Sequence, residues 1–231
     1  MEIDVLILGE GSTDVGIPNG FGQWEKGCIM FLIEKINEQV TLNYNPVQKC
    51  SLPTTLPKKD QGKFKGHAKN IQKLVIYSHL KKIPHDVIVY YGDTDKESGV
   101  SSSEVQAKKA SEQAYEQAHK ALDFFDKKGF AIIPLRMLES WLLADQEAFE
   151  KTFGSQIQLP NTPELLWGNK NDPESRHPKN ILEKILSSFR VSSNRQVFCD
   201  LVQNININNL YKQCPISFPP FLDRAKNCLC D

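Results

Sequence analysis

An α/β fold built on a parallel or mixed sheet, with helices on both faces, is the architecture this sequence predicts. Three observations predict it. Short β-branched and aromatic runs at residues 3–8, 86–91 and 130–133 read as buried strands of such a sheet. Longer segments of helical period alternate with them. Acidic residues follow the first two runs directly: Glu10 comes after Val5–Leu8, and Asp93 and Asp95 come after Val87–Tyr91.

The first strand, residues 3–8, opens into a loop carrying Gly9, Gly11, Gly16, Gly20 and Gly22. A helix is expected over residues 24–39, because Ile29, Leu32, Ile33, Ile36 and Val40 fall on one face. A short strand is expected at 40–44. Pro53, Pro57 and Gly62 mark 51–62 as a loop, and a basic helix follows at 64–80. After the strand at 86–91, Ser101 and Glu104 form an S-x-x-E capping pattern for a helix running to 127. Ala114, Ala118, Ala121 and Phe125 give that helix a buried stripe, and Gly129 reads as its C-cap. Pro134 closes the strand at 130–133, and residues 138–149 read as one buried helix. Beyond that the pattern changes. Pro160, Pro163, Pro173 and Pro178 mark a loop-rich stretch, a helix is expected at 181–189, and 197–202 and 210–214 show no clear period. The organisation expected is an α/β domain over 1–150 and an α-rich extension over 151–231.

Composition sets broad bounds. Lys and Arg together number 28, as do Asp and Glu, so net charge says nothing about partners. Residues 49–82 are different: nine Lys stand against Asp60 alone, a local surplus of eight positive charges that can attract a polyanion. Lys63, Lys65 and Lys69 lie on or beside the expected basic helix, whose other reading is an ordinary solvated face. No apolar run is long enough for a transmembrane helix. The first residues, MEIDVLILGEG, turn polar too soon for a signal peptide. The six Cys form no C-x-x-C pair and no zinc spacing, so reduced thiols in a cytoplasmic protein are expected. No P-loop and no G-x-G-x-x-G turn are present.

The acids are the candidate chemistry. Carboxylates just past strand ends stand where open α/β sheets bind ligands. Several converging there need a cation, and hard oxygen donors select Mg²⁺ or Mn²⁺. Glu10 is then a metal ligand or general acid/base, or else a solvated turn residue; Asp14 is an acid of the same site or a cap. Asp93 and Asp95, two apart in extended chain, point the same way and can reach one ion. Glu139 sits near the N-terminus of a helix apolar nearly all round. It is either a dipole-stabilised structural acid or a further ligand, with Arg136 as a partner in both cases. Glu139 and Asp145 lie about 120° apart around one helix and are not expected to share an ion.

Taken together, Glu10-Gly11, Asp93-Thr94-Asp95, the R-x-x-E-S-W-x-x-A-D segment from Arg136 to Asp145, His177-Pro178-Lys179 and the C-P-x-x-F box from Cys214 to Phe218 resemble a Toprim-like family whose function is not assigned. That family is related to the Toprim nucleases of the OLD and M5 types. The RMLESWLLAD piece is the most specific part. One departure is Gly99, four residues after Asp95 where many Toprim proteins have Gly at three. The resemblance implies a Rossmann-like Toprim sheet and Mg²⁺-dependent phosphodiester chemistry on DNA or RNA. It also implies a setting in phage defence or beside an ABC- or OLD-type ATPase. In that reading Glu10, Asp93, Asp95 and Glu139 hold the metal, and Lys179, Arg136 and His177 meet the phosphate. The alternatives are a non-catalytic Toprim-like module that binds a nucleotide or nucleic acid and regulates a partner, and a scaffold whose acids are merely solvated.

Overall fold

The computed structural model describes residues 1–19, 23–94 and 103–230. Within it the chain divides into two compact units. The first comprises Met1–Gly92, Glu112–Ile132 and Phe221–Asp231; the second comprises Asp93–Ser111 and Ile133–Pro220. The fold is Rossmann-like α/β with a helical C-terminal part.

The first unit is organised by four parallel strands. They are β1 (Glu2–Gly9), β4 (Thr41–Gln48), β5 (Val87–Tyr91) and β6 (Gly129–Ile132), side by side in the order β4-β1-β5-β6. Two two-residue strands, β2 (Ile17–Pro18) and β3 (Trp24–Glu25), form a separate antiparallel ribbon. The sheet is wholly parallel and covered on both faces, which is why every residue of β5 and β6 is buried and β1 is buried from Val5 to Gly9. Helices flank it: α1 (Ser12–Val15), α2 (Cys28–Glu34), α3 (Gly66–Lys81) and the first-unit part of α4 (Glu104–Phe124). Ile29, Leu32, Ile33, Ile71, Leu74, Ala114, Ala118 and Ala121 fill the core with the strands. Phe221, in α10 (Phe218–Leu229), meets Phe130 with ring centroids 6.0 Å apart.

Four differences from the expected elements have physical causes. The helix expected at 24–39 is only Cys28–Glu34, because Trp24 and Glu25 pair with Pro18 and Ile17 and Gly27 then caps the helix in extended conformation. The short strand expected at 40–44 is eight residues long and pairs with β1 from Glu2↔Thr41 to Gly9↔Gln48. Pro46 lies within it, tolerated because β4 is an edge strand. Gly129 is not a C-cap. α4 ends at Phe124, Asp126 takes the left-handed turn (φ 49°), and Gly129 opens β6. A Cβ at Gly129 would stand 2.4 Å from the Ile88 carbonyl oxygen, so close strand approach is what requires glycine. The capping pattern at Ser101 falls outside the described residues.

The second unit is helical. It holds α5 (Leu138–Leu142), α6 (Gln146–Phe153), α7 (Pro178–Ser188), α8 (Arg195–Asn204) and α9 (Ile207–Gln213). α5 packs on α7 and α8, and α6 on α8. Ala107, Ala110 and Leu135 form a small apolar cluster closed by Leu165 and Ile216. The fourth difference lies here: the single helix expected at 138–149 is two, broken after Leu142 and restarted at Gln146. The Asp145 carboxylate accepts the Glu147 amide at 3.1 Å, so this acid is the N-cap that starts the second helix. Among the described residues no helix is long and apolar enough to cross a membrane.

Candidate functional site

In the first unit, the sheet order brings the exits of β1 and β5 side by side. Leu8 pairs with Tyr90, so the chain leaves both strands at one edge of the sheet. Taken in chain order, the four strands run 2-1-3-4. The order reverses between β1 and β5, which is the switch point where sheets of this kind bind ligands. Glu10 follows β1 there, and Asp93 is two residues beyond the end of β5. Gly9 has to be glycine to make this exit. A Cβ would stand 2.7 Å from Val15 Cγ1 and 2.9 Å from Asp14 Cβ, where α1 folds back on the strand.

Glu10 is held by Lys49, whose Nζ donates to its carboxylate at 2.5 Å. The β1–β4 register explains the meeting: Gly9 pairs with Gln48, and Glu10 and Lys49 are the next residues. Both side chains are about 40% exposed, at 38% and 41%, so the pair fixes the carboxylate's position more than it stabilises the fold. Asp14 closes the turn, its Oδ2 accepting the Gly11 amide at 2.9 Å. Behind Glu10 lies a buried polar group that the sequence did not announce. His67 Nδ1 stands 2.8 Å from the Tyr90 hydroxyl, and the Asn70 amide donates to the same hydroxyl at 3.2 Å. Burial lowers the His67 pKa to about 4; Lys49 adds to the shift and Glu10 opposes it. His67 is therefore neutral at pH 7. The signal available for it was Tyr90 itself, a hydroxyl in a fully buried strand that must find a partner.

Lys63, Lys65 and Lys69 are exposed at or near the start of α3. Lys63 pairs with Asp60 at 3.3 Å and its ammonium stands 5.7 Å from the Phe124 ring centroid. Lys65 is the N-cap residue of α3, and Lys69 lines a shallow cavity of about 290 Å³ with Thr54, Thr55, Leu56, Gln61 and Gly62.

In the second unit, Asp93 is half-buried and Thr94 fully buried. Thr94 is the structural hinge of the D-T-D segment: its hydroxyl accepts the Arg136 amide at 2.6 Å and donates to the Pro134 carbonyl at 3.2 Å. Arg136 is 2% exposed with φ 77°, a left-handed conformation unusual for a large side chain. Its guanidinium carbon lies 3.4 Å from the centroid of the Trp167 ring. Glu139 is half-buried in the first turn of α5, while Ser140, Trp141 and Leu142 beside it are buried. Asp95 and Gly99 lie outside the described residues.

The rest of the R-x-x-E-S-W-x-x-A-D segment and the C-P-x-x-F box form one joint. The Ser140 hydroxyl reaches the Leu135 and Met137 carbonyls, both at 2.8 Å. Trp141 Nε1 donates to the Ser217 hydroxyl at 2.8 Å, and its ring meets Phe218 edge-on with centroids 5.0 Å apart. Buried Glu164 accepts the Ser217 hydroxyl and the amides of Ile216 and Ser217, both at 2.9 Å. Burial raises its pKa, and these hydrogen bonds with that of Trp141 draw it part of the way back. Complete burial, reinforced by the Glu164 charge, pushes the Cys214 thiol well above its usual range, so it is an unreactive neutral thiol. Asp145, fully buried, also accepts the Asn206 amide at 2.6 Å and Asn209 Nδ2 at 2.8 Å. His177 is the buried N-cap of α7, its Nδ1 accepting the Lys179 amide at 3.3 Å. Lys179 is exposed, with its ammonium 3.9 Å from Glu183 on the same helix.

Among the described residues no three His, Cys, Asp or Glu side chains gather closely enough to hold a metal ion. The carboxylates of Glu10, Asp93 and Glu139 fit Mg²⁺ in donor chemistry, being hard oxygen ligands. Comparison with family models, with curated proteins and with solved structures gave no match.

Proposed function

We propose that this chain is an Mg²⁺- or Mn²⁺-dependent phosphodiesterase that cleaves nucleic acid, a nuclease of the cytoplasm. The observation that carries the reading is the placement of acids after both central strands at the switch point of a parallel sheet. In this proposal Asp93 and Asp95, joined by Glu139, supply oxygen ligands, and Glu10 handles a proton or completes the ligand set. The bound ion would orient water and neutralise charge on the leaving oxygen. Lys49 holds the Glu10 carboxylate at a fixed position at the end of β1. Thr94 fixes the backbone next to Asp93, because its own side chain is committed to the Pro134 and Arg136 backbone. Lys63, Lys65 and Lys69 would follow the phosphate backbone and the exposed Lys179 would meet a phosphate, whereas Arg136 and His177, each 2% exposed, are buried away from it. The phage-defence setting and an ABC- or OLD-type ATPase partner belong to the same proposal and rest on the Toprim resemblance alone.

The test is cleavage of single- and double-stranded DNA and RNA with Mg²⁺ or Mn²⁺, comparing the wild type with Asp93→Asn. Loss of cleavage in the variant and in EDTA supports the reading. Equal cleavage by both proteins refutes it.

One observation favours a second reading. The Glu10 carboxylate already has a cation in Lys49, so its charge is compensated without a metal. A non-catalytic module that binds a nucleotide or nucleic acid would need no more. It would keep its binding in EDTA and turn over no polymer.

A further inference from the structure

Trp167 is among the few large aromatic side chains left in solvent, 46% exposed. It is also rigidly backed. The buried Arg136 guanidinium lies over one face, its carbon 3.4 Å from the ring centroid. The chain before it is a short 3₁₀ turn, Pro163–Leu165, anchored by the bonds of buried Glu164 to the backbone at 216 and 217. Leu166, next to it, is buried. The chain after it is a loop fastened from within by Asn180. The Asn180 side-chain amide reaches the Asn169 carbonyl at 3.3 Å, the Asp172 carbonyl at 2.6 Å and the Ser175 hydroxyl at 3.0 Å. An indole held at both flanks loses little freedom when something stacks on it, and preorganisation of this kind is what turns an exposed ring into a binding element.

The neighbourhood says what would stack. Arg136 carries the ring and, through its own amide, binds Thr94 between the two aspartates. We propose that Trp167 is a stacking platform for a nucleobase of a single-stranded nucleic acid, its ring backed by Arg136, whose own amide is bonded to Thr94. A purine or pyrimidine has a flat π face that an indole accepts without reading sequence, and a guanidinium beneath the ring adds cation–π attraction. This inference rests on the nucleic-acid reading above and adds to it the group that holds the base. It predicts recognition of unpaired rather than duplex strands.

The experiment is binding in EDTA, by fluorescence anisotropy, of a labelled oligothymidylate and of an abasic oligonucleotide of the same length. The wild type binds the base-bearing strand more tightly, by on the order of ten-fold, the usual yield of one stacked base. Trp167→Ala binds both strands equally, and Trp167→Phe keeps most of the preference. The proposal is overturned if the wild type binds both strands alike, or if Trp167→Ala keeps the preference. The two readings fail separately. A base preference that depends on Trp167 without any cleavage removes the catalytic reading alone. Cleavage without that preference removes the platform alone.

Discussion

Replacing Asp145 by Ala separates a structural acid from a chemical one. The side chain is fully buried and accepts three hydrogen bonds: from the Glu147 amide, the Asn206 amide and Asn209 Nδ2. Ala removes the α6 cap, typically about 1 kcal/mol, and leaves two further donors without their acceptor, each about 1–3 kcal/mol. Water entering the space satisfies part of this, so the expected loss is about 3–5 kcal/mol. In a chain of 231 residues each kcal/mol moves the melting temperature by about 2–4 °C. The melting temperature should therefore fall by about 6–20 °C. Asp145→Asn keeps one oxygen acceptor but turns an NH₂ group toward donors, and should fall between. The assay is thermal and urea unfolding of the three proteins, with metal-dependent activity measured where all are folded. A loss below about 1 kcal/mol would refute the capping argument. Activity abolished in a fully folded Asp145→Ala protein would show that this acid belongs to the chemistry after all.

Two further expectations concern the first unit. His67 is neutral and buried with its pKa lowered to about 4 against 6.5 in the unfolded chain, so the unfolded state takes up the proton first. Stability is full above about pH 6.5 and falls as pH drops toward 4, by about 3 kcal/mol in all. Unfolding free energy against pH should show this slope in the wild type and lose it in His67→Gln; equal slopes would contradict it. Gly129→Ala places a methyl group 2.4 Å from the Ile88 carbonyl and should destabilise by about 1–3 kcal/mol in urea unfolding; an unchanged midpoint would mean the strands part freely.

Much of the sheet was legible because burial on both faces leaves its mark on composition. β5 and β6 are unbroken apolar runs, β1 is one from Val5 onward, and each was expected within a residue or two of its place. β4 was not, because only Val47 of its eight residues is buried and its composition carries no apolar signal. Asn43, Asn45, Pro46 and Gln48 are poor strand formers in isolation, and what makes them a strand is the ladder offered by β1. The break between α5 and α6 was hidden for a different reason. Leu138 to Leu143 continue a helical apolar pattern, and only Asp145 followed two residues later by Glu147 marks a fresh start. In the first unit local sequence pointed to Glu10 but not to His67 or Tyr90, and in the second to Asp93 but not to Trp167. Their arrangement depends on contacts made across the chain, 23 residues apart in the case of His67 and Tyr90.

The most specific motif in the sequence sorts into two kinds of residue once its contacts are known. Ser140 and Trp141 from the first half, and Cys214, Ser217 and Phe218 from the box near the C-terminus, bond or pack within one buried joint whose acid is Glu164, while Asp145 caps α6 and binds Asn206 and Asn209. Their spacing is set by packing. A stretch this exacting would be retained by any protein needing this joint, whatever its chemistry. Arg136 and Glu139 lie in the same stretch of chain. Arg136 holds a left-handed backbone and a cation spread against a half-exposed indole, and Glu139 is the half-buried acid next to three buried neighbours. A strained backbone persists only where its surroundings impose it, and such strain gathers at binding and catalytic sites. Substitutions at Trp141 or Ser217 should therefore act on stability first, and urea unfolding of Trp141→Phe and Ser217→Ala checks this: an unchanged midpoint in both would mean the joint holds nothing together.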